Sequence, residues 1–376
     1  MVETITFTTQ QLKIMAILPM TSAPLSLLGS SLIVLKIFRE RKKRASQTYH
    51  RILLGFSIID IVGSIAYCFS TLPSPVGTPD VWGANGNDST CTAQGFFLVT
   101  GLGIVYYNAA LMIYYVLKIR YNVSEVTLRK HYDPWVHRFV LFFSFLPSVL
   151  GAIFGMINNI GNVCFIGDHP KGCASNEEVE CERGQKYFMF SMITMGIVVI
   201  IATVTVPICM LLISLKVQKE DDAMKKYEFR SKECVHSSSH INNSSILQRS
   251  QSLRGKASCK IKQVRTQALM YAVTSVLCLW WPIILRFNAA GGLFTLRCLA
   301  QFFYPMLGFF NFINYTRPRM MKLVESGTAQ SKLHALYLAT FVSEDELRRL
   351  NLQKKTQLAA KRDVKHDATV DECNEL

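Results

Sequence analysis

One carboxylate stands in the middle of an apolar run: Asp60, in Leu53-Leu54-Gly55-Phe56-Ser57-Ile58-Ile59-Asp60-Ile61-Val62. An acid in such a stretch is costly, so it calls for a proton, a cation or a polar network. Suitable groups occur in another run, where Asn311, Asn314 and Tyr315 lie close together. They allow a fixed polar clamp between helices or a clamp that rearranges. A further run carries Trp280, Trp281 and Pro282. Proline removes an intrahelical hydrogen bond and kinks the helix, and large indoles beside a kink repack in discrete steps. Pro147, Pro207 and Pro305 predict bends in three other helices. Arg286 and Arg297 flank the last two runs, with Gln301 and Tyr304 beyond them. Such cations suit an anionic ligand, or equally headgroups and water.

Thiols and imidazoles offer other chemistry. Of 11 cysteines, Cys91, Cys164, Cys173 and Cys181 fall in segments assigned to the oxidising outer side, where they can pair in three ways. The remaining cysteines are intramembrane or cytoplasmic and expected to be free. The 8 histidines are assigned to connections and tails, which argues against a membrane-embedded metal hydrolase. No cofactor, metal or enzymatic activity is expected.

The elements that must position these residues are seven apolar runs near 14–38, 51–72, 92–117, 139–160, 187–215, 266–290 and 293–316. A helix needs roughly 20 mostly apolar residues to cross the hydrocarbon core while satisfying its own backbone. The expected fold is an all-α membrane protein, a seven-transmembrane helical bundle. The chain is 50% hydrophobic and 18% charged, in keeping with that class.

The formal charge of +15 is distributed unevenly. Arg39, Arg41, Lys42, Lys43, Arg44 and Arg51 lie between the first two runs; Lys118, Arg120, Arg129, Lys130 and Arg138 follow the third. Roughly 35 of the 41 Lys and Arg fall on one side of an alternating topology, which should be cytoplasmic. The N-terminus is then outside and the C-terminus inside. The lipid bilayer and acidic partner surfaces explain the charge, and nucleic acid is not an expected partner. Residues 1–12 lack signal-peptide features, so the first run is expected to direct its own insertion.

Together these residues resemble a G-protein-coupled receptor over about residues 10–325. Asn311-Phe312-Ile313-Asn314-Tyr315 resembles the Asn-Pro-x-x-Tyr segment of rhodopsin-like receptors, with Phe312 where proline is usual. Trp280-Trp281-Pro282 is similar to the helix-six toggle and kink, with Trp280 as toggle, and Asp60 to the acid of helix two. Ile119-Arg120-Tyr121 resembles the Arg-Tyr of the Asp-Arg-Tyr switch, without its acid. Cys164-Phe165-Ile166 and the ending Asn311 to Arg319 are closer to cyclic-AMP-receptor-like and related microbial-eukaryote receptors.

The resemblance implies an unknown extracellular ligand, a heterotrimeric G protein as partner and a multi-pass location in the plasma membrane. It implies a switch of Asp60, Arg120, Trp280, Pro282, Asn311, Asn314 and Tyr315. Candidate ligand contacts are Leu98, Leu102, Trp280, Arg286, Arg297, Gln301 and Tyr304. It favours the disulfides Cys91–Cys164 and Cys173–Cys181, with Cys91–Cys173 as the alternative. No lysine occurs in 293–316, which excludes a retinal Schiff base there, and Cys91 to Gly103 contains no acid to anchor an amine.

The resulting organisation is an extracellular N-terminus (1–13), a receptor domain (14–316) and a cytoplasmic juxtamembrane helix and tail (317–376). Within the domain, 217–263 is a long basic loop whose flanks prolong helices five and six. Its Ser250, Ser252 and Ser258 sit among basic residues suited to kinases. Arg317–Val324 is expected to lie along the membrane, and 332–352 to form a second amphipathic stretch. A multi-pass transporter is the alternative function, though no internal repeat is visible.

Overall fold

The computed structural model describes residues 7–40, 47–175, 179–237, 265–282, 284–285, 294–343, 345–347, 349 and 352. Among them, five helices are long and apolar enough to cross a membrane. These are α1 (Thr9–Arg39), α2 (Thr48–Cys68), α3 (Asp88–Ile119), α4 (Glu125–Ile153) and α5 (Tyr187–Glu220). Helix α6 occupies 265–282, and α7 is built from Phe294–Phe303, a 3-10 turn at Tyr304–Met306, and Leu307–Glu325. A last helix, α8 (Lys332–Phe341), folds back on the end of α7.

Local chemistry sets the ends. Thr8 caps α1 through a reciprocal pair with Gln11, and Asn87 caps α3 with Thr90 in the same way. Pro134 lies in the first turn of the main segment of α4, where its missing N–H costs nothing. Pro147 and Pro207 sit inside α4 and α5, whereas Pro305 falls in the 3-10 turn that interrupts α7. Alpha-helical continuity also breaks in α3 at Leu102 and in π-turns at Leu128–Tyr132 and Met192–Gly196.

Helix α3 is the central one, its lower half buried from Gly103 to Met112. Around it the core joins Ile52 and Phe56 of α2, Val140 of α4, Val206 and Ile213 of α5, and Tyr271 of α6. In contrast, Leu28, Phe142, Ile201 and Leu211 are exposed on the outer faces of α1, α4 and α5. That apolar periphery is far larger than a protein surrounded by water tolerates, and it is what lipid-facing helices present.

Several expectations need correction. The run near 139–160 is not helical throughout: the helix ends at Ile153, and within the otherwise helical fold Ile157–Asn159 and Cys164–Ile166 pair as a short antiparallel hairpin, whose Ile157 and Ile166 pack on Val99 and Met195. Helix α4 starts at Glu125, earlier than its apolar run, because Ser124 caps a first turn and a π-turn at Leu128–Tyr132 leads into Asp133–Ile153. Helix α5 continues to Ser237 as the flank rule predicts, while the rest of 217–263, including Ser250, Ser252 and Ser258, lies outside the described residues. Arg317–Val324 is not a separate helix, since Leu307–Glu325 runs on through Pro318. Histidines are not confined to connections and tails: His50 lies in α2, and His131 and His137 lie in α4.

Candidate functional site

Asp60 sits in a socket made by three helices. Its Oδ2 accepts hydrogen bonds from Ser30 Oγ (2.7 Å) and Ser26 Oγ (3.0 Å) of α1, and from Ser64 Oγ (3.5 Å) one turn along α2. Ser26 Oγ also accepts from the backbone N of Gly308 in α7 (2.8 Å). Gly308 is required there, because a Cβ would run into the Asp60 carboxylate and the hydroxyls of Ser26 and Ser30. Gly29 likewise lets α1 approach α7, since a Cβ would stand 2.9 Å from Phe309 Cα. A cavity of about 10 Å³ lies alongside, lined by Asp60, Ser64, Tyr67, Leu98, Ile104 and Tyr304. That is room for about one water molecule.

Asn314 and Tyr315 do not bond to Asp60. Asn314 Nδ2 donates to Thr274 Oγ1 of α6 (3.1 Å), and Tyr315 turns to α1 and α2. The Tyr315 ring stacks with Tyr49 of α2 (centroids 6.4 Å), meets His50 edge-on, and has the Lys36 ammonium 5.6 Å from its centroid. Asn311 is buried on the same helix.

Tyr49 is the centre of an aromatic cluster that residue types and spacing did not single out. Tyr114 and Tyr115 of α3 and Tyr315 of α7 surround its ring. Its hydroxyl shares a hydrogen bond with that of Tyr271 in α6 (2.9 Å) and accepts one from Gln267 Nε2 (3.1 Å). Helix α6 therefore faces the bundle with Gln267, Tyr271, Thr274 and Ser275, spaced i, i+4, i+7, i+8 on one helical face. Each bonds to a different helix or pair of groups: Gln267 and Tyr271 to α2, Thr274 to α7, and Ser275 to Asn108 of α3. Each such bond contributes about 0.5–1.5 kcal/mol net. Water can replace a hydroxyl partner, whereas interlocked apolar side chains have no such substitute.

The two tryptophans divide differently from expectation. Trp280 points outward, 42% exposed, while Trp281 is half-buried with its indole nitrogen enclosed. Neighbouring helical residues differ by about 100° in direction, so only one of the pair can face the core. Trp281 takes the inward position assigned to Trp280. Pro282 follows it in the last turn of α6.

At the C-terminal end of α3, Arg120 is the cap and lies 5.9 Å from the Tyr121 ring. Acids nearby serve other partners. Glu125 accepts from Thr48 N (2.5 Å), Tyr114 hydroxyl and Lys118 Nζ (both 3.3 Å). Asp133, buried, pairs with Arg51 (2.8 Å) and lies 3.4 Å from His137, whose Nδ1 bonds Tyr107 (2.8 Å). Buried Lys36 reaches the carbonyl of Ala339 in α8, and Arg39 and Arg319 reach those of Phe341 and Val342. A basic residue in the last turn of a long helix was the only sequence signal for Lys36.

On the opposite face the hairpin is fastened by Cys91–Cys164, and the next loop by Cys173–Cys181. Gln94 carries the join further, its Oε1 accepting from Cys164 N (3.0 Å) and its Nε2 donating to Ala66 and Ser70 carbonyls. Gly95 permits this approach, because a Cβ would strike Ile157. Burial lowers the pKa of the Lys171 amine; nearby Arg297 adds to the effect, and Asp80 and Asp168 oppose it. Arg297 lies 5.1 Å from the Phe7 ring. Of the ligand candidates, Leu98 and Tyr304 share the small cavity, and Leu102 packs toward the hairpin. Gln301 is half-buried, and Arg286 lies outside the described residues. Among the described residues, no group of three His, Cys, Asp or Glu could hold a metal ion.

No protein-family model matches this chain, and no curated protein matches it significantly.

Proposed function

We propose that this chain is a seven-transmembrane receptor that couples an extracellular ligand to a heterotrimeric G protein, with α6 and α7 as its sixth and seventh spans. The N-terminus lies outside, the C-terminus lies in the cytoplasm, and the receptor resides in the plasma membrane. The subclass is cyclic-AMP-receptor-like or microbial-eukaryotic, with some rhodopsin-like motifs.

The observation that carries the reading is the polar inner face of α6. Its hydrogen bonds to α2, α3 and α7 stand among buried Ala268, Ala272, Cys278 and Leu279, so opening gives up apolar contact made largely by small side chains, while water can take over the hydroxyl partners. Movement about Pro282 would then open the inner ends of the helices to a transducer. Asp60, Ser26, Ser30 and Gly308 form the more constrained side, holding α1, α2 and α7 together. The ligand acts by favouring the open packing and must bind it more tightly than the closed one. An outer surface bearing Lys171 and Arg297 favours an anionic ligand.

The transporter alternative is disfavoured by the space beside Asp60, which admits about one water rather than a solute. The test is a ligand screen in cells carrying promiscuous G proteins, read by calcium and cyclic AMP. Surface labelling of an N-terminal epitope on intact cells tests the topology. A ligand-dependent signal absent from mock cells is expected. Solute flux into vesicles without any such signal would replace the receptor by the transporter.

A further inference from the structure

We propose that the inner end of α4 carries a binding site for an anionic phospholipid. The site begins with an open cleft of about 460 Å³ lined by Glu125, Val126, Arg129 and Lys130. Glu125 turns its carboxylate inward to Thr48, Tyr114 and Lys118, so it does not neutralise the mouth of the cleft. Among the described residues, Arg129 and Lys130 pair with no carboxylate, and both are exposed. The cleft therefore presents two cations and an apolar contact, Val126, which is 78% exposed.

The same helix supplies the remainder of a lipid site. Trp135 is 68% exposed, and the Arg138 guanidinium lies 5.6 Å from its ring. An exposed tryptophan beside cations is suited to the headgroup boundary, with apolar ring and polar edge in their preferred media. Phe139, Phe142 and Phe145 continue away from this point as an exposed apolar stripe. Acyl chains would lie on the stripe and the headgroup phosphate would meet the cations. Arginine's planar fork matches phosphate oxygens in two-point contact. A soluble acidic segment could meet Arg129 and Lys130 but would leave the aromatic stripe without a role. A headgroup carrying extra negative charge is preferred over a zwitterionic one, because positive charge predominates at the cleft. This inference rests on α4 crossing the bilayer with its basic end inward, and not on coupling to a G protein.

The full chain is to be reconstituted in phosphatidylcholine vesicles containing a photoactivatable anionic phospholipid, with crosslinks mapped by peptide. Labelling should concentrate in 125–145 and should exceed that from a photoactivatable phosphatidylcholine. Each basic side chain near an anionic surface contributes about 1 kcal/mol, so Arg129→Gln with Lys130→Gln should raise the half-saturating lipid fraction roughly thirtyfold. The exchange Arg129→Lys with Lys130→Arg should retain binding, which separates charge from folding. Soluble inositol phosphate distinguishes a lipid from a free phosphate source. Failure to compete at concentrations matching the lipid supports the acyl-chain contribution. Equal labelling of wild type and the Gln variant, equal labelling by both lipids, or full competition by the soluble anion would each overturn the proposal. G-protein assays play no part, so this result and that of the receptor test stand apart.

Discussion

The hydroxyls of Tyr49 and Tyr271 meet at 2.9 Å, joining the first turn of α2 to α6. Tyr271 is completely enclosed by the core, and Tyr49 stacks on Tyr315, so this one bond links three helices. Tyr49→Phe preserves the rings and removes the hydroxyl. The expected result is unchanged expression with faster amide exchange in 265–275, corresponding to about 0.5–1.5 kcal/mol of local opening. Exchange equal to wild type would remove the bond from the account of α6 movement.

The Asp60 socket has no spare volume at the Gly308 Cβ position. Gly308→Ala should cost about 1–3 kcal/mol through overpacking, whereas Ala at the open Gly77 should cost less sterically despite its positive φ. Thermal unfolding of the detergent-purified variants provides the comparison. Asp60→Asn keeps an acceptor for Ser26 and Ser30 and should fold, but change coupling in either direction. Equal melting of Gly308→Ala and wild type would contradict the packing described at this point.

How much of this was legible in the sequence depends on residue type. Asp60 was conspicuous because a carboxylate contrasts with an apolar run; of the seven apolar runs read as spans, five coincide with described helices long and apolar enough to cross a membrane. Tyr49, Tyr114, Tyr115 and Tyr271 were not, because tyrosine occurs equally at lipid boundaries and in cores. Trp280 and Trp281 were visible as a pair, but their order of burial depends on the helix's rotation, which tertiary packing sets. The hairpin was hidden because its strands contain only three residues each. The paired cysteines were legible, yet their connectivity came from resemblance rather than spacing.

The two disulfides should differ in their contribution. Chain-closure estimates give about 4 kcal/mol for a separation of 73 residues and about 2.5 kcal/mol for a separation of 8. Cys91→Ser with Cys164→Ser should therefore lower the melting temperature more than Cys173→Ser with Cys181→Ser. Its larger effect should also include greater amide exchange in 157–166, where the hairpin loses its anchor. Equal shifts from the two pairs would contradict this ranking.

Lys36 joins the last turn of α1 to α8 and sits over the Tyr315 ring. Lys36→Met retains the buried stem but loses the charged donor, a change of about 1.5–3 kcal/mol for a charge-assisted bond. Amide exchange in 332–341 should rise while that in α3 remains at its wild-type rate. Unchanged protection of α8 would show that Leu338 and Ala339 packing suffices to dock it.

The most direct measurement of the central claim is nucleotide exchange on purified heterotrimeric G proteins, with wild type and Tyr271→Phe reconstituted in vesicles. Across a panel of G-protein classes, at least one should exchange faster with wild type than with empty vesicles. Loss of the Tyr49 bond should raise that basal rate about two- to tenfold, as the open packing gains 0.5–1.5 kcal/mol. Correctly folded wild type and Tyr271→Phe that both leave exchange at the empty-vesicle rate for every class would contradict the receptor account.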